Sequence, residues 1–214
     1  MEYLPADNRF NFSEIISVFL FFLLAFNFLG CRSVDQQSAA VMPKLTVSDD
    51  HRYLVDSTGM PFCWIGGTVW GITEWLSREE INYYLDDRKS KGFNVIQFCL
   101  FWGKRSDDPV NFTMNPRNFY GYSAFEDFTE NKTSLTPATK PGGSPEGSND
   151  YWDHVDYIMA ALKKRDMMAA VLPVWGRRYV NATHNGFSAQ LFSPEEMYAY
   201  GQFLGNRYRS NDHI

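Results

Sequence analysis

The sequence predicts an α/β fold in which parallel strands alternate with helices. Three short apolar runs are each followed by a loop and then by a stretch with helical spacing of its apolar residues. Each run also ends in tryptophan just before the chain turns polar, at 61–70, 94–102 and 167–175. Strand–helix–strand order favours parallel pairing with right-handed crossovers. We therefore expect one sheet with aromatic side chains gathered at the carboxyl ends of its strands.

A short β-hairpin is predicted before the first core strand. Residues 45–47 and 52–55 alternate apolar and polar side chains as short strands do. The sequence Asp-Ser-Thr-Gly at 56–59 is a turn signal between the hairpin and the sheet. The first core strand is predicted over 62–66.

The helix boundaries are predicted from their capping residues. The remaining elements are expected at 77–91, 94–101, 150–165, 167–174 and from 194 onward. Ser77 with Glu80, and Ser193 with Glu196, have the spacing of capping boxes, in which each side chain satisfies a free backbone N–H at the helix start. Gly92 stands where the first helix should end, at a position that favours positive φ.

The composition argues against a nucleic-acid partner and against a metal cofactor. The 214 residues carry a net charge of −5 without a long basic run, whereas phosphate binding needs clustered Lys and Arg. Cys63 and Cys99 lie inside predicted strands and are expected to be buried free thiols, with a disulfide between adjacent strands as the alternative. No Cys-x-x-Cys pair supports a zinc site. No cofactor is expected.

Residues 1–31 are predicted to be a signal peptide. Their apolar run, 15–29, is shorter than the roughly 20 residues of a membrane-spanning helix. Phe-Leu-Gly-Cys at 28–31 resembles a bacterial lipoprotein processing site, with Cys31 as the lipidated residue and 32–43 as a tether. This predicts export across the inner membrane and a lipid anchor, in the periplasm or at the cell surface. An uncleaved anchor and a plain secretory signal are the alternatives.

Two parallel α/β folds fit the order of elements: a doubly wound sheet and a (β/α)₈ barrel. The turn after the first strand lacks the G-x-G-x-x-G pattern of dinucleotide-binding domains, since Gly66-Gly67 alone does not supply it. A barrel takes about 250 residues. The three strand–helix units at 62–208 would therefore form less than half of one.

Several blocks, in order along the chain, resemble apiosidase-like glycoside hydrolases. They are YLVD at 53–56, PFCWIGGTVW at 61–70, LSREE at 76–80, YLDDR at 84–88, KGFNVIQ at 91–97, YWDHVDYI at 151–158 and LPVWG at 172–176. The resemblance implies that residues 44–214 form about three units of a TIM (β/α)₈ barrel, cut before its fourth strand. It also implies a bacterial lipoprotein acting on plant cell-wall, pectin-type side chains, often with a small β domain after the barrel.

The resemblance places the catalytic carboxylates beyond residue 214, after the fourth and a later strand. The chain alone is therefore expected to be inactive, and a non-catalytic carbohydrate-binding lipoprotein is the alternative function. The family usually has aspartate where this chain has Gly67, so a polar substrate contact is expected to be lost. No Asp or Glu ends a predicted strand, where the catalytic carboxylates of a barrel enzyme would lie. Glu74, Asp107 and Asp108 follow strands only in loops. They are either catalytic groups or, as the simpler interpretation, solvated loop charges.

The remaining candidates are side chains that would bind a saccharide rather than cleave it. They are Trp70, Gln97, Trp102, Tyr120, Trp175 and His184. The tryptophans either stack on sugar rings or fill the top of the barrel. Gln97 is polar within an apolar strand, so its buried amide must bond to neighbours or to a ligand. Tyr120 would form a wall of the cleft, and His184 lies in the loop after the third strand.

Overall fold

The structure is a computed structural model that describes residues 44–102, 116–126, 135–142, 150–175 and 192–214. Its centre is a parallel three-stranded sheet, in which β3 (Gly66–Thr68), β4 (Val95–Cys99) and β5 (Met168–Leu172) lie in chain order. An antiparallel pair, β1 (Thr46–Val47) and β2 (Leu54–Val55), precedes it. The parallel α/β arrangement and the hairpin are thus confirmed. The predicted signal peptide with Cys31, the tether and His184 lie outside the described residues.

Helices connect and cover the strands of the sheet. They are α1 (Ile72–Trp75), α2 (Arg78–Ser90), α3 (Tyr151–Lys163) and α4 (Pro194–Tyr208). Both predicted capping boxes are present, and Gly92 has φ of +83° at the end of α2. Helix α1 was not predicted, because four residues are too few to give a periodic signal. Within the described ranges, no helix combines the length and apolar character needed to cross a bilayer.

The first core strand begins later than its sequence predicts. It was expected over 62–66, but pairing with β4 starts only at Gly66. The side chain of Asn94 accepts a hydrogen bond from the Ile65 N–H (2.8 Å) and donates one to the Cys63 carbonyl (2.7 Å). These contacts take the place of a regular ladder. Because Cys63 therefore lies outside the sheet, it is exposed rather than buried as expected.

The two faces of the sheet have different environments. Ile96, Phe98 and Leu100 alternate along β4 and its extension and belong to the main hydrophobic cluster, together with buried residues of α2 and α3. The cross-strand neighbours Thr68, Gln97 and Ala170 lie in register on the opposite face. Thr68 is exposed and the other two are half-buried. Val95 and Cys99, which flank Gln97 along β4 on this second face, are fully buried.

Residues near the C-terminus lie along the outer edge of β5. Met168 and Leu172 bond toward β4, through the Asn94 carbonyl and the Leu100 N–H respectively. The intervening Ala169 N–H points the other way and donates to the carbonyl of His213 (2.7 Å). Parallel strands present alternate residues to alternate neighbours. The segment around His213 therefore occupies the place where the next strand of the sheet is expected to begin.

Candidate functional site

Trp70, Trp102 and Trp175, which we call the tryptophan cluster, meet at the carboxyl end of the sheet. The rings of Trp70 and Trp102 are stacked, with centroids 5.6 Å apart and planes 9° from parallel. Trp175 lies 4.4 Å from Trp102 and 5.3 Å from Trp70, at tilted angles to both. All three side chains are half-buried. The sequence-based expectation that these residues gather is confirmed, while their contact with a saccharide stays a prediction.

Strand register explains why the three indoles meet. The ladder between the first two core strands runs past the end of β3, because the Cys99 N–H donates to the Trp70 carbonyl (3.1 Å). Trp102 follows β4 and Trp175 follows β5, so all three leave the sheet at its carboxyl edge. Parts of each ring contact the neighbouring rings. The remaining exposed faces and edges can stack on an apolar sugar face.

Gln97 lies below the tryptophan cluster rather than within it. It is the middle residue of β4 and precedes Trp102 by five positions, which is about 16 Å of extended chain. Its side chain is half-buried and lies on the face of the sheet opposite Ile96 and Phe98 of the main hydrophobic cluster. Its contact with a ligand stays a prediction.

Tyr120 packs on helix ends instead of on the three indoles. Its hydroxyl accepts a hydrogen bond from the Arg78 N–H (3.1 Å) at the start of α2. Its ring meets His154 of α3 edge-on, with centroids 5.3 Å apart. These contacts give Tyr120 a clear packing role, and its predicted place in a saccharide cleft remains untested.

A set of polar contacts that the sequence does not reveal fixes the end of β4. The Thr73 hydroxyl donates to the Leu100 carbonyl (3.1 Å), and the Tyr151 hydroxyl donates to the same carbonyl. The Glu74 carboxylate accepts from the Trp102 N–H (2.6 Å). Partners lie 27 to 51 positions apart in the chain. No local motif indicates such pairs, and two of them depend on the unpredicted helix α1.

The environment of position 67 differs from the one that the resemblance implies. A β-carbon added to Gly67 would lie 3.3 Å from the side chains of Ile96 and Phe93 and 3.5 Å from the Tyr84 hydroxyl. These residues belong to the helix-covered side of the sheet or pack against it. A side chain at this position would point toward that layer, so glycine here removes no group from the opposite face of the sheet.

The described site is built from aromatic and polar side chains. No group of three or more His, Cys, Asp or Glu side chains converges to hold a metal in the part of the chain that the structure describes. Cys99 is buried beneath the cluster and forms no disulfide. Burial, with a smaller contribution from the charge of Glu74, raises the pKa of its thiol to about 12, so it stays protonated. Of the loop carboxylates, Asp107 and Asp108 lie outside the described residues.

Comparison with known proteins places this arrangement in a family. A family model described as "Apiosidase-like, catalytic domain" matches residues 48–214. A solved structure described as a glycoside hydrolase shares 29% identity at a TM-score of 0.61, and the match covers 81% of this chain and 33% of that one. A structure described as a glycoside hydrolase family 5 protein from Bacteroides vulgatus ATCC 8482 shares 30% identity at a TM-score of 0.61. That match covers 81% of this chain and 32% of the other.

The chain spans about a third of the length of these two solved structures. No curated protein matches its sequence. The family match extends from the hairpin through all three strands and the tryptophan cluster to the last residue of the chain. The chain therefore belongs to the family of apiosidase-like catalytic domains.

Proposed function

We propose that the protein is a glycoside hydrolase of the (β/α)₈ type that acts on pectin-type side chains of plant cell walls. In this proposal β3, β4 and β5 are the first three barrel strands, and the tryptophan cluster is part of the saccharide surface. The observation that carries the proposal is the position of the cluster at the carboxyl ends of three consecutive parallel strands. Barrel enzymes build their active sites at that edge. Family membership supports the same conclusion.

Glycoside hydrolysis requires two carboxyl groups, one as acid and one as nucleophile or base, about 5 to 10 Å apart. We propose that both belong to strands that would follow β5 in the complete barrel. The Ala169–His213 contact supports a sheet that continues past β5. The residues of this chain then bind and orient the sugar, while the hydrolytic step depends on the added strands.

Substitution of Trp102 by alanine tests the saccharide surface. We expect the 214-residue chain to bind pectin-derived oligosaccharides, and Trp102→Ala to weaken binding about tenfold or more, because it removes a ring that contacts both other members of the cluster. Isothermal calorimetry measures the affinity. Tyr83→Ala removes an aromatic ring that is 80% exposed on α2, and serves as the control. Equal affinity of Trp102→Ala and wild type would contradict the proposed surface.

The catalytic part of the proposal is tested with the same oligosaccharides. We expect the 214-residue chain to bind them without releasing product, and a longer chain that includes the following strands to hydrolyse them. Turnover by the 214-residue chain would refute our placement of the carboxylates. Binding without turnover by the longer chain would instead favour a carbohydrate-binding lipoprotein.

We also propose that Cys31 anchors the protein to a membrane through a lipid. The support is the processing-site sequence at 28–31 after an apolar run. In a bacterial host, labelled fatty acid should be incorporated into the wild type and lost in Cys31→Ser. Cys63→Ser, which changes an exposed thiol of the folded part, should keep the label. Retention of label in Cys31→Ser would exclude this anchor.

A further inference from the structure

Helix α1 connects two members of the tryptophan cluster. It begins after Gly71, directly behind Trp70, and carries Glu74 on its single turn. The Glu74 carboxylate accepts a hydrogen bond of 2.6 Å from the Trp102 N–H. The short segment from Trp70 to Glu74 therefore makes two contacts with Trp102. Glu74 accepts from its backbone N–H, and Trp70 stacks on its indole ring.

The contact of Glu74 continues a series that fixes the last residues after β4. Two hydroxyl groups, from Thr73 and Tyr151, donate to the Leu100 carbonyl. The ring of Phe101 is buried against Phe125. Glu74 then holds Trp102, a half-buried member of the cluster.

The chemistry of this contact suits an orienting role. A carboxylate that accepts from a backbone N–H makes a shorter and stronger bond than two neutral groups do. Glu74 is half-buried, so water competes less for this bond than at a fully exposed site. Its charge also lies close enough to Cys99 to contribute to the raised pKa of that thiol. The carboxylate thus points inward at the end of β4, although the sequence suggests only a solvated loop charge.

We propose that Glu74 is a positioning residue that holds the Trp102 backbone so that its indole stacks on Trp70 and the cluster faces a saccharide. The saccharide part of this inference rests on the proposed function. The ordering of the indoles does not, because it is a property of the chain without ligand. Glu74 acts through Trp102, and one of its oxygens is engaged by the Trp102 N–H.

The test compares three substitutions at position 74 in the 214-residue chain. Near-ultraviolet circular dichroism reports the fixed arrangement of the indoles, and calorimetry reports affinity for pectin-derived oligosaccharides. Glu74→Ala should reduce the near-ultraviolet signal and weaken binding about tenfold. Glu74→Gln should restore most of both, because its amide oxygen accepts from the same N–H. Glu74→Asp keeps the charge but is one carbon shorter, and should lose both signals in part.

Glu79→Ala is the matched control, since Glu79 is exposed in the first turn of α2 and should leave both measurements unchanged. Wild-type near-ultraviolet signal and affinity in Glu74→Ala would overturn the inference. Equal losses of signal and affinity in Glu74→Ala and Glu79→Ala would overturn it as well. If Glu74→Ala does not fold, the other two variants decide. Wild-type near-ultraviolet signal and affinity in Glu74→Asp would overturn the inference, and so would a near-ultraviolet signal in Glu74→Gln that stays well below the wild-type one. Absence of saccharide binding by the wild type refutes the proposed function, whereas the near-ultraviolet signals still decide the role of Glu74.

Discussion

Lowering the pH from about 7 to about 4 is expected to destabilise the fold by about 3 kcal/mol, mainly through His154. This side chain is fully buried on α3, and a backbone hydrogen bond with Leu76 has a smaller effect on its pKa than burial does. Burial, and secondarily the positive charge of Arg78, lowers the pKa of His154 from 6.5 to about 4. The folded protein therefore keeps this ring neutral in a range where the unfolded chain protonates it.

The direction of this change in the free energy of unfolding follows from the number of protons that the folded and unfolded states bind. Well above pH 6.5 the ring is neutral in both states and its contribution to stability is constant. Between pH 6.5 and about 4 the unfolded state gains a proton that the folded state excludes, so the free energy of unfolding falls. His213 acts in the same direction, because burial lowers its pKa too. Exposed carboxylates with lowered pKa, such as Asp86, contribute below this window.

Urea unfolding at several pH values measures this effect. His154→Phe keeps a ring of similar size without a titrating group, so its stability should vary by about 3 kcal/mol less across the window than that of the wild type. His51→Asn is the control, since His51 is exposed on the hairpin and has φ of 59°, a conformation that asparagine tolerates. The same pH dependence in His154→Phe and wild type would show that this histidine is not the cause.

The sequence predicts features of this fold whose signal is local. Ser77 and Ser193 mark helix starts because a capping box needs only residues three positions apart. The gathering of the tryptophans also follows from local signals, because parallel strands in chain order bring their ends together. The start of the first core strand does not follow from local signals. It depends on the Asn94 side chain, which bonds to backbone groups 29 and 31 positions away.

The candidate site also contains residues that local sequence reveals and residues whose role depends on distant contacts. Trp70, Trp102 and Trp175 are recognisable because each ends an apolar run. Glu74 is visible in the sequence only as a charge in a loop, since its role depends on the one-turn helix α1 and on a strand end 28 positions away. Contacts of this kind are fixed by tertiary packing, which overrides the weak local preferences of so short a helix.

Trp152→Ala is expected to lower the free energy of unfolding by about 3 to 5 kcal/mol, the usual range for removal of a large buried aromatic side chain. Trp152 of α3 is fully buried, and its ring nitrogen donates to the Ala124 carbonyl (3.0 Å). Its ring also packs 4.8 Å from Phe203 of α4. The substitution leaves a cavity between three segments and a buried carbonyl without this donor. Urea unfolding followed by far-ultraviolet circular dichroism measures the loss.

Two further variants separate the origins of this loss. Trp152→Phe keeps most of the ring but not the N–H group, and should lose about 1 to 2 kcal/mol. Trp64→Ala removes an indole that is 52% exposed, and should change stability by less than about 0.5 kcal/mol. A loss in Trp152→Ala no larger than that in Trp64→Ala would contradict the assignment of Trp152 to the core.

The effect of Trp152→Ala should extend to the saccharide surface. The ring of Trp152 contacts Tyr200, whose hydroxyl donates to the Pro173 carbonyl (3.0 Å), two residues before Trp175. Tyr200 also contacts Phe101, which immediately precedes Trp102. A cavity at position 152 therefore loosens the supports beneath two members of the tryptophan cluster. We expect Trp152→Ala to weaken oligosaccharide binding even under conditions where it remains folded, and Trp64→Ala to leave binding unchanged, because no ring contact links Trp64 to the cluster among the described residues.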